Sequence, residues 1–272
     1  MVTPVGAAAP LLFKGTTTLA RMELTDVIPR EYHALLPSTQ ARALELVRAG
    51  APEGTRVVAG AQNDGRGRLD HRWESPPGGL YLSVAVRLPA SHPSLFPIAL
   101  GAALTEEIRA RFSAPARLKW PNDLVIVEGR RRLRKLAGLL VDQVAPPRGG
   151  DMAVVGVGVN VSVPPVALSG ELAGKVAWLS EFAVQPPSLH AVEESVVAAA
   201  FDAAHSLSDP TRIDAVRRRC RAALYGVGRP ATVDGTLRGT IDALGDEGEL
   251  WLHTDTERVA VRAGDLRLEE GA

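Results

Sequence analysis

The sequence predicts an α+β protein, a mixed sheet with helices packed over it followed by a small antiparallel barrel. Three observations carry this expectation. Helical and strand-like patterns interleave from about residue 38 to 224, with paired strands between helices rather than strict βα alternation. From Ala231 the pattern changes to short alternating strands broken by turn signals. An apolar content of 46% over 272 residues suffices for one domain of about 200 residues and a smaller one.

The elements follow in order. Residues 1–30 read as a disordered or lightly packed lead-in: MVTPVGAAAPLLFKG has no basic start, and Pro4 and Pro10 interrupt an apolar run too short to span a bilayer. Ser38 then offers an N-cap, Ala43, Leu44 and Val47 share one helical face, and Gly50 supplies the stop. Strands are expected at Arg56–Ala61 and Leu80–Leu88, a helix over about 94–112, and strands at Ala116–Trp120 and Leu124–Glu128. RRRLRK at Arg130–Lys135 reads as the turn of a hairpin, continued by a strand at Leu136–Val144 and another at Met152–Val161. Proline pairs beginning at Pro146, Pro164 and Pro186 mark loops before helices at about 188–207 and 211–224. Gly226 and Gly228 form the expected boundary, giving domains 31–225 and 226–272. Strands ATVDG, TLRGTIDAL, ELWLHT and ERVAVRA follow, with turns at Asp234-Gly235 and Asp246–Gly248.

Composition excludes several classes. Lys plus Arg and Asp plus Glu are both 31, so no overall field attracts nucleic acid. A single cysteine, Cys220, forbids an internal disulfide and, with six scattered histidines, builds no zinc spacing; it is expected to be structural, in a reducing cytoplasm. No GxSxG or HExxH motif is present.

Four segments carry chemistry. In QNDGRGRLDHRWESPPGGLY (62–81), Gly65 and Gly67 let backbone N–H groups approach a ligand, and Arg66 and Arg68 supply fixed guanidinium forks for phosphate. KWPND (119–123) sets a cation, an amide and a carboxylate in a turn fixed by Pro121, although turn chemistry alone would use Pro, Asn and Asp. In RKLAGLL (134–140), Lys135 borders an apolar strand while Gly138 leaves room beside it; Arg130, Arg131 and Arg132 read as solvated. In VVGVGVNV (154–161), Gly156 and Gly158 permit a flat ligand against the backbone.

This ordered set, with Ser38 and Thr39 entering a helix, resembles the biotin protein ligases from about Glu31 onward. The resemblance implies a biotin/lipoate-ligase catalytic fold of the class II synthetase-like type and an SH3-like C-terminal barrel. It implies ATP and biotin as substrates, magnesium accompanying ATP with no protein metal site, and biotinyl-adenylate as intermediate. The acceptor would be a lysine of a biotin carboxyl carrier protein, such as that of acetyl-CoA carboxylase. Residue by residue, it implies catalytic roles for Lys135, Arg66, Arg68 and Lys119. Biotin contacts would come from Ser38, Thr39, Gln62, Gly65, Arg66, Tyr81, Lys135, Gly138 and Gly156, and nucleotide contacts from Arg68, Arg72, Trp73, Lys119, Asn122, Asp123 and Asn160. Tyr81 and Trp73 equally suit an ordinary core.

The chain departs from the family pattern in places. Gln40 stands where asparagine is usual, as an alternative cap of the same helix. Asp64, Asp70 and His71 replace a small residue, a glycine and an arginine. Arg72 is expected to substitute for the displaced arginine, or Asp64 and Asp70 to pair with Arg66 and Arg68. Residues 1–36 show no recognition helix, so a ligase without repressor activity, with no nucleic-acid or membrane partner, is expected; a homodimer stays open. Two alternatives also stay open: a biotin-binding or adenylate-binding protein with weak turnover, and a lipoate or octanoate ligase or transferase of the same fold.

Overall fold

The computed structural model describes residues 29–269 except 70, 130–131, 148–149, 171 and 173. The lead-in 1–28, Asp70, Arg130 and Arg131 lie outside the described residues. The larger sheet runs β1 (Arg30–His33), β2 (Arg56–Ala59), β3 (Leu80–Arg87), β7 (Met152–Val159), β6 (Arg132–Val144), β5 (Asp123–Glu128) and β4 (Ala116–Lys119). Among the described strands of this sheet β1 and β2 pair in parallel and the other strand pairs are antiparallel, which makes the sheet mixed as expected.

Side chains alternate across a strand, and the two faces of the central three strands differ in kind. Leu80, Leu82, Val84 and Val86 of β3 point with Val155, Val157 and Val159 of β7 into the main core. There they meet α2 (Phe96–Phe112), α3 (Leu189–Ser208) and α4 (Ile213–Ala223). The opposite face carries Tyr81 and Ser83 on β3, Gly156 and Gly158 on β7, and Gly138, Leu140 and Asp142 on β6. Register aligns these as rows: Tyr81–Gly158–Gly138 and Ser83–Gly156–Leu140. Small residues leave a hollow there. α1 (Thr39–Arg48) closes one end through Ala43, Leu44 and Val47, packed on Val57, Ala85, Val144 and Val154.

The C-terminal unit is a five-stranded antiparallel sheet ordered β11 (Arg258–Val261), β10 (Leu250–His253), β9 (Leu237–Leu244), β8 (Pro230–Val233), β12 (Leu266–Leu268). Its interior is Ala231, Val233, Ile241, Leu244, Leu250, Leu252, Val261 and Leu266, all buried. The β9–β10 turn is docked on the larger unit. Trp120 Nε1 donates to Gly248 O at 3.0 Å, Gly248 lies against Ser94, Leu95 and Ile98, and Arg217 and Arg221 pair with Asp246.

Three expectations need correction. RRRLRK is not all turn: β6 begins at Arg132, because Arg134 bonds Glu128 and Glu181 at 2.5 and 2.6 Å and paired charge is tolerated in a strand. Arg30 belongs to β1, which the lead-in reading missed, and β12 was missed as well. Among the described residues no helix is long and apolar enough to cross a membrane.

Candidate active site

The hollow over β3, β7 and β6 is a cleft of about 370 Å³. Its closed end is polar. Ser38 caps α1, its Oγ accepting from Ala41 N at 3.4 Å, so Gln40 is not the cap expected of it. Instead Gln40, 3% exposed, runs down to the sheet. Its Nε2 donates to Asp142 Oδ2 and Val154 O, both at 2.9 Å, and its Oε1 accepts from Ser83 Oγ at 2.9 Å. Ser83 Oγ also lies 3.0 Å from Thr39 Oγ1. Gln62 bridges the helix start and the loop, its Oε1 accepting from Thr39 N and its Nε2 donating to Ser75 Oγ, both at 2.8 Å.

The reading of the strand glycines needs a correction. Gly156 and Gly158 do leave space beside the backbone, but the chain itself fills it. A Cβ on Gly156 would sit 2.4 Å from Gln40 Oε1, and one on Gly158 2.5 Å from the Trp73 ring. Gly138, opposite Gly158, faces the same indole, with a Cβ 2.7 Å from Trp73 Cζ3. Trp73 thus lies on the floor of the cleft, Lys135 Nζ stands 5.1 Å from its ring centroid, and Trp73 Nε1 is enclosed without a hydrogen-bond partner. Gly65 has its own reason, since a side chain there would meet Trp73 O at 2.4 Å.

The cations gather at the other end. Asp123 opens β5 with one oxygen 2.7 Å from Lys135 Nζ and the other 3.7 Å from Lys119 Nζ. Asn122 accepts from Arg68 Nη1 at 3.2 Å and donates to Leu139 O at 2.8 Å, tying the loop to β6. The loop is a minute hairpin: Gly67 N donates to His71 O at 2.7 Å, and Arg66 bridges Arg72. Arg66 and Arg72 stand directly opposite each other and therefore on one face, while Arg72 Nη2 donates to Asn63 O at 2.7 Å. Among the described residues Asp64 is in no ion pair, and Asp70 lies outside them, so the expected pairing with Arg66 and Arg68 gains no support. The arrangement is an uncharged polar pocket, an aromatic and glycine floor, and several cations at the far end. It suits a ligand with an apolar body and a strongly anionic end.

Residues 32–160 match the sequence profile of the Biotin/lipoate A/B protein ligase family. This region is a biotin/lipoate ligase domain. The chain is 28% identical over 243 residues to the bifunctional ligase/repressor BirA of Bacillus subtilis, spanning 87% of this chain and 73% of that protein. It is 28% identical over 240 residues to the biotin–[acetyl-CoA-carboxylase] ligase of Paracoccus denitrificans, spanning 84% and 96%. The fold is that of the Aquifex aeolicus biotin protein ligase in complex with biotin and ATP, with a TM-score of 0.73, 22% identity, and 89% and 99% of the chains covered.

The ligase domain holds two predicted residues more tightly than their assigned contacts require. Tyr81 is 2% exposed, its hydroxyl donates to Pro76 O at 2.6 Å, and burial raises that hydroxyl's pKa above its usual value. Asn160 Nδ2 donates to Lys135 O at 3.0 Å, fixing the strand that presents Lys135. Sequence reasoning missed a whole wall: Leu168, Leu172, Lys175, Val176 and Trp178 line the cleft from the segment after β7. Lys135 N donates to Lys175 O at 2.7 Å and Ala177 N to Lys135 O at 2.9 Å, so that segment zips onto β6 beside the lysine. Cys220 is buried in α4, with burial pushing its thiol up to about 11, as fits a structural residue.

Proposed function

We propose that the chain is an ATP-dependent ligase that forms biotinyl-5'-AMP from biotin and ATP and passes the biotinyl group to a lysine of a biotin carboxyl carrier protein. The observation that carries this reading is one cleft with neutral hydrogen-bonding groups at its closed end and Lys135, Lys119 and Arg68 gathered at the other. Biotin's uncharged ureido ring suits the closed end. Ser38 Oγ keeps its proton to donate after accepting from Ala41 N, and Gln62 Nε2 keeps one N–H after serving Ser75. Thr39, Arg66 and Tyr81, which line the same cleft, complete the biotin contacts, while the space beside Gly65, Gly138 and Gly156 is taken by the chain's own Trp73 and Gln40. Arg68, Arg72, Trp73, Lys119, Asn122, Asp123 and Asn160 serve the nucleotide.

In the first half-reaction a biotin carboxylate oxygen bonds to the α-phosphorus, and the bond from that phosphorus to the bridging oxygen breaks. The electron pair leaves with pyrophosphate. Lys135 beside the carboxylate and α-phosphate, with Lys119 and Arg68, offsets the charge that collects there. In the second, an acceptor amine nitrogen bonds to the acyl carbon, the carbon–oxygen bond to AMP breaks, and the amine loses a proton. Trp73 over the glycine row would shield this mixed anhydride from water.

Among the described residues no cluster of three His, Cys, Asp or Glu side chains could hold a metal. Asp123 is the carboxylate beside the lysines, and one carboxylate suits a magnesium ion that arrives on its phosphates and supplies charge neutralisation there. The division into 31–225 and 226–272, with only the first unit holding the biotin contacts, and a cytoplasmic setting suggested by the lone thiol, belong to the same reading.

The test is incubation with ATP, biotin and a biotin carboxyl carrier domain of acetyl-CoA carboxylase, followed by mass spectrometry. A single biotinyl increment on one acceptor lysine is expected. An unmodified acceptor, in the presence of measurable biotin binding, would instead favour the weak-turnover binding protein.

A further inference from the structure

The closed end of the cleft holds a polar chain that neither half-reaction uses. It runs from Asp142 through Gln40 and Ser83 to Thr39, and Gln40, Ser83 and Thr39 line the cleft. Gln40 and Ser83 are buried. Gln40 Nε2 faces two groups that only accept, the Asp142 carboxylate and Val154 O, both at 2.9 Å. The amide is therefore locked with its Oε1 toward Ser83 Oγ at 2.9 Å. Asp142 is half-buried, and among the described residues its carboxylate has no ion pair and no hydrogen-bond partner besides Gln40. Its contact is the amide that it orients.

Counting protons fixes the rest of the chain. Ser83 Oγ carries one proton and stands within hydrogen-bond distance of both Gln40 Oε1 and Thr39 Oγ1, at 2.9 and 3.0 Å. Among the described residues Gln40 Oε1 has no donor other than Ser83, and a buried carbonyl oxygen without a donor carries the full cost of its lost hydration. Ser83 therefore donates to Gln40, and Thr39 gives its own proton to Ser83. Thr39 Oγ1 is left with free lone pairs and nothing to donate. Beside it, Ser38 Oγ and Gln62 Nε2 each keep a proton to give. The closed end thus asks for a head group that donates at Thr39 and accepts next to it. A ureido ring does both, whereas a dithiolane or an alkyl end has no N–H to offer. We propose that Gln40 and Ser83, anchored by Asp142, are positioning residues that hold the Thr39 hydroxyl as an acceptor and so select a ligand carrying an N–H at that point. This deepens the ligase reading and rests on it for the identity of the ligand.

The experiment titrates the full chain, unaltered and as Ser83→Ala and Gln40→Met, with biotin and its two carbamate analogues, in which one or the other ureido N–H is replaced by an ether oxygen. In the unaltered chain one analogue sets an oxygen against the Thr39 lone pairs and should bind about tenfold or more weakly than biotin, the scale of one buried hydrogen bond. Ser83→Ala removes the acceptor of the Thr39 proton, so the hydroxyl can turn and donate to that oxygen. The ratio of analogue to biotin Kd should then fall to about threefold or less. Gln40→Met keeps the side-chain length and frees the Ser83 proton for Thr39, which should lower the ratio in the same way; it carries the test if Ser83→Ala does not fold. A merely structural chain would weaken all three ligands alike. A ratio unchanged in the variants would overturn the proposal, as would an unaltered chain that binds both analogues as tightly as biotin. Biotin binding without pyrophosphate exchange would be a different failure, that of the ligase reading, and would leave the ratio test intact.

Discussion

Replacing Lys135 by methionine keeps the length of the stem and removes the charge. Two contacts are lost, the 2.7 Å pair with Asp123 and the position 5.1 Å from the Trp73 ring centroid. The Lys135 side chain is 38% exposed, so the screened pair contributes no more than about 1 kcal/mol, and the ring contact about 0.5–1 kcal/mol. Asp123 is not stranded, because Lys119 Nζ remains 3.7 Å from its other oxygen. Stability should therefore fall by at most about 2 kcal/mol, a Tm decrease of several degrees at about 2–4 °C per kcal/mol. Catalysis should fall much further. Removing one preorganised group from developing anionic charge costs about 2.7–4 kcal/mol, or about 100- to 1000-fold in kcat. The assay is biotin-dependent pyrophosphate exchange beside a thermal melt and biotin titration. A loss of exchange smaller than tenfold, or one fully accounted for by unfolding, would refute the role given to this lysine.

Three further outcomes follow from particular contacts. Gly158→Ala puts a methyl group 2.5 Å from the Trp73 ring; the indole must leave the floor, so tryptophan emission should shift red and biotin affinity fall, and an unchanged spectrum would contradict this placement. Trp120→Phe strands Gly248 O and leaves a gap at a fully buried site, so urea unfolding should show about 2–4 kcal/mol lost, whereas a loss under 1 kcal/mol would mean that the β9–β10 turn is not anchored there. Hydrogen bonds from Arg42 and His33 hold the Glu31 pKa down at about 2 from 4.5. A depressed carboxylate stabilises the fold above its unfolded pKa and loses that contribution as pH falls through the folded one. Stability should therefore decline from about pH 4.5 toward 2, and Glu31→Gln should flatten this limb; an identical limb in the variant would discount Glu31 as a contributor.

Local signals made much of this legible. Ser38 followed by an apolar helical stripe gave α1, and KWPND between two strand-like runs gave the β4–β5 turn. What escaped was non-local. A glycine in a strand announces space, but only the register of β6 and β7 and the paths of Gln40 and Trp73 decide what fills it. The wall residues Leu168, Leu172, Lys175, Val176 and Trp178 fall between the proline pairs that begin at Pro164 and Pro186, in a stretch with no helical or strand pattern, and the backbone bonds from Lys135 to Lys175 and Ala177 that hold this wall have no sequence signature. β1 is a short edge strand without clean alternation, and β12 has three residues. Arg134 looked like turn charge because its partner Glu181 lies 47 residues on.

The central claim is that this cleft activates biotin with ATP, and the most direct measurement is exchange of labelled pyrophosphate into ATP with biotin, lipoate or octanoate. Exchange with biotin alone is the predicted result. Exchange with lipoate or octanoate instead, or with none of the three despite biotin binding, would contradict it.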